Sequence, residues 1–246
     1  MKIGTWKIIL VVVPALIVIV GTASWYKLFR PVPQPASITG TPRDAFLYGS
    51  AGAGAEESAG IPYWIWLVLP RIFPEYLPGT GGYASLGFSW EETREMPAGF
   101  SKKTVGYVRV AGNCALCHAY SISNGPDAAP TVFAAGPGHT REVQALLTFY
   151  KQCAQDPRFN ADNILDEVSM ATKLSPVDAA IYRYILVPQT RQRLLRGDPV
   201  IVDPALWRHS QNSQFDPVFR ERMQSLETGL QGPEKDALEK YLKALQ

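Results

Sequence analysis

Two cysteines and a histidine in Asn113-Cys114-Ala115-Leu116-Cys117-His118 are the residues whose types and spacing specify a chemistry. On a helical turn, side chains three apart are neighbours on one face. Two thiols so placed can each form a thioether to one of two neighbouring vinyl groups of a single haem. The adjacent imidazole then reaches the iron from one side. The spacing predicts one covalently bound haem c, held by Cys114 and Cys117 with His118 as the proximal ligand. A ligating imidazole is neutral, and its second ring nitrogen usually donates to a backbone carbonyl. Zinc would need a second ligand pair drawn from Cys153, His139 and His209. A dithiol redox site would need a βαβ setting, which the pattern lacks.

The sixth position of the iron is less defined. Met170 lies 52 residues after His118, just before a helix starting at Ser175. It is a candidate distal ligand or a core methionine. His139, in Gly136-Pro137-Gly138-His139, is an alternative ligand on a loop, or a cap or solvent-facing residue. Met96, Met223 and His209 fit the role less well, and a five-coordinate iron is a further option. Arg109 precedes the first cysteine by five residues. Its planar fork suits a haem propionate; the competing reading is a solvated surface charge.

These residues need elements to hold them. Residues 8–26 run without a charge, about the length of a helix that crosses the hydrocarbon core. Trp25, Tyr26, Lys27 and Arg30 follow as interfacial residues do. Residues 1–30 are read as an uncleaved membrane anchor, because the run exceeds what a signal peptide needs; a signal peptide is the alternative. Lys2 and Lys7 before the run balance Lys27 and Arg30 after it, so charge does not orient it. The haem motif does, since this attachment is completed outside the cytoplasm in bacteria. The expectation is a single-pass protein of the inner membrane with its haem domain in the periplasm.

Residues 31–60, proline first and then Gly, Ala and Ser, read as a linker lifting the domain off the bilayer. Residues 61–101 form an aromatic, proline-rich extension. Within it, 61–88 either packs its aromatics into the domain or forms a surface for membrane or partner. The haem domain is expected over 102–199 and C-terminal helices over 200–246. Helical spacing marks 140–152 with Thr140 as cap, a short helix over 162–168, and a helix capped by Ser175 that ends near Pro188. Later helices carry Phe219, Met223, Leu226 and Leu230, then Leu238 to Leu245 after Pro233. Strand signals are weak, so the fold class is mostly α.

Composition sets outer bounds. With 46% hydrophobic and 19% charged residues over 246 positions, the chain as a whole is not disordered. Four of its 24 basic residues lie before position 31, leaving 20 against 22 acids. That balance gives no case for nucleic acid, which would need a basic face. Three cysteines, an odd count with two inside one motif, exclude a disulfide framework. Cys153, in the apolar stretch 146–153, reads as a small buried hydrophobe.

The order Ile61-Pro62-Tyr63-Trp64, Gly82-Tyr83, Pro97-Ala98-Gly99-Phe100 and 113–118 resembles a group of bacterial c-type cytochromes. These are related to di-haem cytochromes that include rubber-oxygenase-like and peroxidase-like proteins. The likeness continues through Gly136-Pro137, Asp156-Pro157-Arg158-Phe159 and Leu186-Val187-Pro188, about residues 60–200. It implies a cytochrome c-like, mostly helical haem domain with an aromatic N-terminal collar. The relatives carry a second CxxCH; this chain has one. The expected function is one-electron transfer with a redox protein or membrane oxidoreductase complex as partner. The alternatives are a haem enzyme with an open iron position and a fixed subunit of a larger redox complex.

Overall fold

The computed structural model describes residues 5–35, 38, 40–50, 56, 60–91, 93–122, 131–134 and 142–197. His139, Thr140, His209 and the helices expected over 200–246 lie outside them. Helix α1, Thr5–Leu28, is followed by strand β1, Pro31–Val32, and helix α2, Pro42–Tyr48. Strand β2, Ile61–Pro62, runs into helix α3, Tyr63–Ile72, and two 3₁₀ turns, Pro74–Tyr76 and Gly82–Leu86. Then come β3, Phe100–Val105, β4, Tyr107–Gly112, the one-turn helix α4, Ala115–His118, and strands β5, Ala119–Ile122, and β6, Thr131–Ala134. The chain continues with α5, Val143–Gln155, α6, Ala161–Ala171, and α7, Pro176–Ile181. A π turn, Tyr182–Leu186, leads into α8, Val187–Arg196. The described residues are mostly helical, as the periodicity indicated, but two sheets accompany the helices.

Helix α1 meets the length and composition needed to cross a membrane, and none of the window Leu10–Leu28 is buried in the protein. Its apolar side chains Leu10, Val11 and Ile17 are exposed.

The main sheet has the order β1-β3-β4-β2, all pairs antiparallel. The β3–β4 ladder runs from Phe100 opposite Gly112 to Val105 opposite Tyr107, with Gly106 at φ 73° in the turn. Pro31 and Pro62 sit in the outer strands, where a missing N–H costs no central ladder bond. The strands escaped the sequence reading because they are short and interrupted by lysines: Lys102 and Lys103 break the apolar alternation that marks a buried strand.

Two further expectations change. Residues 31–60 are not simply linker: β1 is a strand of the sheet, and α2 buries Phe46, Leu47 and Tyr48. The helix begun at Ser175 does not stop near Pro188. Ser175 Oγ accepts from the Asp178 N–H at 3.1 Å, as a cap should. The helix then passes Pro188 through the π turn, whose wider winding accommodates the N–H that proline lacks.

Residues 61–88 form the centre of the core. Ile65, Trp66, Val68, Leu69 and Phe73 are buried on and just after α3, against Leu146, Phe149, Tyr150 and Cys153 of α5 and Ile164 and Val168 of α6. Trp66 stacks on Tyr83 with centroids 4.5 Å apart and donates its indole N–H to Tyr150 Oη at 3.1 Å. Pro70 lies inside α3 and cannot donate to the Trp66 carbonyl four residues back. Tyr83 Oη donates to that carbonyl instead, at 2.8 Å. Burial pushes the Cys153 thiol well above its ordinary range, fitting the buried hydrophobe the sequence indicated.

Candidate functional site

The motif is mounted by Asn113, the last residue before it. Asn113 Nδ2 donates to the carbonyls of Leu47 at 3.2 Å and Gly49 at 3.0 Å, and its Oδ1 accepts from the Ala115 N–H at 2.9 Å. Its own N–H donates to Gly99 O, and Gly99 N–H donates to Leu47 O, both at 2.9 Å. One buried carboxamide thus ties the start of α4 to the C-terminal end of α2, and the backbone N–H of the same residue ties it to the loop before β3.

The turn itself closes through the N–H groups of Leu116 to Asn113 O, Cys117 to Cys114 O and His118 to Cys114 O, at 3.0, 3.3 and 3.1 Å. Ala115 and Leu116 point inward and are fully buried. A separate small core beneath the motif joins Ala115 and Ala119 to Phe46, Leu47, Tyr48, Ala98, Val132 and Ala134. Its alanines let strand, turn and helix approach closely.

Helix α2 is in turn held by a partly buried charge network. Arg43 pairs with Glu91 at 2.5 Å and donates to Val132 O at 2.9 Å, Tyr48 Oη donates to Glu91 at 2.6 Å, and Arg94 pairs with Asp44 at 2.5 Å. Arg94 also lies over the Tyr48 ring, 4.8 Å from its centroid. Burial alone would raise the Glu91 carboxyl. The hydrogen bonds from Arg43 and Tyr48 and the nearby guanidinium charges outweigh it and hold Glu91 below the usual carboxylate range.

The three motif side chains stand in different surroundings. Cys114 is half-buried, Cys117 is exposed and His118 is half-buried. Burial pushes the His118 imidazole down to about 4, so the ring is neutral at physiological pH. That is the form with a nitrogen lone pair for a metal. Among the described residues, no three or more His, Cys, Asp or Glu side chains gather as a site for a single ion. The turn presents two thiols and one imidazole side by side.

An apolar surface adjoins the turn that the sequence reading passed over. The hairpin of β5 and β6 starts at the residue after His118 and pairs Tyr120 with Phe133 and Ile122 with Thr131. Ala119, Val132 and Ala134 face the small core. On the other face Tyr120 stacks on Phe133 with centroids 5.1 Å apart, and Phe133 and Ile122 are 39% and 51% exposed. The period-2 alternation in Ala119-Tyr120-Ser121-Ile122 carried the signal, but four residues are too few to separate it from background.

The other sequence candidates lie elsewhere. Met170 is 77% exposed on α6, which packs against α3, the π turn and α8; the motif turn packs against α2. The structure does not bring the two elements together. Arg109 has partners that neither expectation named. It is buried, donates through Nη2 to Leu28 O at 3.0 Å and through Nη1 to Glu56 O at 3.4 Å, and lies over the Tyr107 ring at 4.4 Å. Its guanidinium is engaged at the exit of α1, four strand residues, or about 13 Å, from Asn113.

Compared with protein-family profiles, with curated proteins and with solved structures, the chain matches none.

Proposed function

We propose that this chain is a membrane-anchored, mono-haem c-type cytochrome that passes single electrons on the periplasmic side of the inner membrane. The observation that carries the reading is the one-turn helix itself. Two thiols three apart, one half-buried and one exposed, stand on that turn with an imidazole adjoining. The residues fit the group: Cys114 and Cys117 would form the thioethers and His118 would be the proximal ligand. Bound there, haem c supplies a one-electron iron couple. The protein's part is to hold the ring. Asn113 fixes the turn, Ala115 and Leu116 lock it into the core, and the Tyr120–Phe133 face adjoins it as an apolar wall. Anchoring follows from α1, and export of the domain follows from where this attachment chemistry takes place. We read residues 102–199 as a cytochrome c-like haem domain to which a sheet has been added.

The test is production of the full chain alongside a bacterial haem-attachment system. Haem should remain on the chain through denaturing electrophoresis and give the alkaline pyridine spectrum of two thioethers. Cys117→Ser should leave a single-thioether spectrum, and replacing both cysteines should abolish attachment. A wild-type chain that leaves the system without covalent haem overturns the proposal. A low-spin spectrum unmoved by carbon monoxide supports electron transfer, whereas a high-spin iron that binds it readily defeats that role. Met170→Ala and His139→Ala, each read by EPR, decide which residue, if either, is the sixth ligand.

A further inference from the structure

The exit of α1 is built into the domain. Gly106 N–H donates to Arg30 O at 2.6 Å, and Arg109 Nη2 donates to Leu28 O at 3.0 Å. Strand β1, three residues past the helix, pairs with Val105 and Thr104 of β3. Lys27, one residue before the end of the helix, pairs with Asp178 of α7 at 3.2 Å. The fit at Gly106 is close: at φ 73°, an added Cβ would overlap the Leu28 backbone.

A mount of this kind decides which face of the domain meets the bilayer. The headgroup layer is about 5–7 Å thick on each side of the hydrocarbon. Lys27 ends the apolar window, so an acid in direct ion pair with it lies inside that layer. Val177, the neighbour of Asp178, is 59% exposed, and Tyr184, seven residues on along the same helical run, is 75% exposed. Between them, α6 and α7 line an open groove of about 620 Å³ whose floor includes Leu165, Val168, Leu174 and Pro176. Lys173 and Arg183 also line it. With Lys27 and Arg30 they make four cations against three acids at this face: Asp178, paired to Lys27, Asp162, paired to Arg183, and Asp166, whose charge also acts on Arg183. Apolar side chains, a tyrosine and an excess of cations are what an anionic lipid surface takes.

We propose that the face of α7 and the π turn carrying Val177 and Tyr184, with Lys173 and Arg183 beside it, rests in the headgroup layer of the leaflet from which α1 emerges. The inference rests on the reading of α1 as a membrane span, and its test separates the two.

The full chain is reconstituted in vesicles of equal parts phosphatidylcholine and phosphatidylglycerol. An environment-sensitive fluorescent amino acid is incorporated by codon suppression at position 177, 184, 16 or 151. Quenching is read with lipids brominated near the top or near the end of the acyl chain. Positions 177 and 184 should shift to the blue and be quenched by the shallow bromines. Position 16, within α1, should be quenched by the deep ones, and position 151, exposed on α5, by neither. Deep quenching at 16 with none at 177 or 184 overturns the inference and leaves the anchor standing. No quenching at 16 overturns the anchor and the inference with it. Lys173→Glu with Arg183→Glu should reduce quenching at 177 and 184 without altering it at 16; an unchanged signal there removes the part assigned to the two cations.

Discussion

The Asn113 side chain joins the C-terminal end of α2 to the motif turn. Its amide nitrogen serves two carbonyls and its oxygen serves one N–H, a combination that only a carboxamide offers. Asn113→Leu takes the side-chain donor from Gly49 O and the acceptor from the Ala115 N–H, leaves Leu47 O with only the Gly99 N–H, and should lower stability by about 2–4 kcal/mol, read from urea unfolding. Asn113→Asp should do at least as much, because it turns an oxygen toward each carbonyl. None of this was legible in the sequence, where Asn113 stands only as a residue beside Cys114. Its partners are 66 and 64 positions away, and no local pattern encodes them. The motif was legible for the opposite reason: its chemistry needs a fixed local spacing. Glu91 belongs to the same scale. A carboxyl held below its unfolded value near 4.5 contributes stability in full above that value. The contribution is lost as pH falls through the lower folded value, when the native state must also take up the proton. Below about pH 4.5 the urea midpoint of the wild type should therefore fall more steeply than that of Glu91→Gln. Parallel curves for the two would place the linkage elsewhere.

Proline governs the elements, and it does so in two ways. Pro188 is absorbed by a wider turn of backbone, and the sequence reading, which ended a helix there, could not foresee it. Pro70 is absorbed by a side chain: Tyr83 supplies the donor that residue 70 lacks. Tyr83→Phe should cost about 1–3 kcal/mol, since it strands the buried Trp66 carbonyl. Pro70→Ala restores a backbone N–H at that point, so the double variant should recover much of the loss. Additive costs in the two would show that the hydroxyl does not stand in for the missing amide. Helices α5, α6 and α7 were readable from their apolar spacing and from the cap at Ser175. The strands were not, because β3 takes its buried character from β4 and α2 more than from its own residues. The aromatic stretch 61–88 was visible as unusual, and its interior position was one of two readings. Interlocking contacts such as Trp66 with Tyr83 and Tyr150 decide between them.

At the scale of the molecule, α1 and the domain are joined by strand pairing and hydrogen bonds at the point where a slack linker was expected. The misreading has a physical source. Proline and glycine mark a flexible spacer by composition, yet Pro31 is compatible with an edge strand and Pro42 with the first turn of a helix. Gly106→Val should push the Leu28 backbone off the β3–β4 turn and free the domain about its anchor. The measurement is time-resolved anisotropy of a fluorophore on the domain in nanodiscs. A slow component set by the whole particle should dominate in the wild type, and a fast component should appear in the variant. Equal decays would mean that the turn does not hold the helix.

A redox centre on a slack tether searches a volume of solution and can visit a donor and an acceptor in turn. One fixed at the foot of its own helix has no such search; it drifts in the plane of the bilayer and spins about the normal. The other half of every encounter then belongs to the partner, which must either arrive from solution or expose its own centre at the same height. Under the proposed function, the Gly106 contact with Leu28 would thus restrict which molecules this chain exchanges electrons with, before any docking surface is considered.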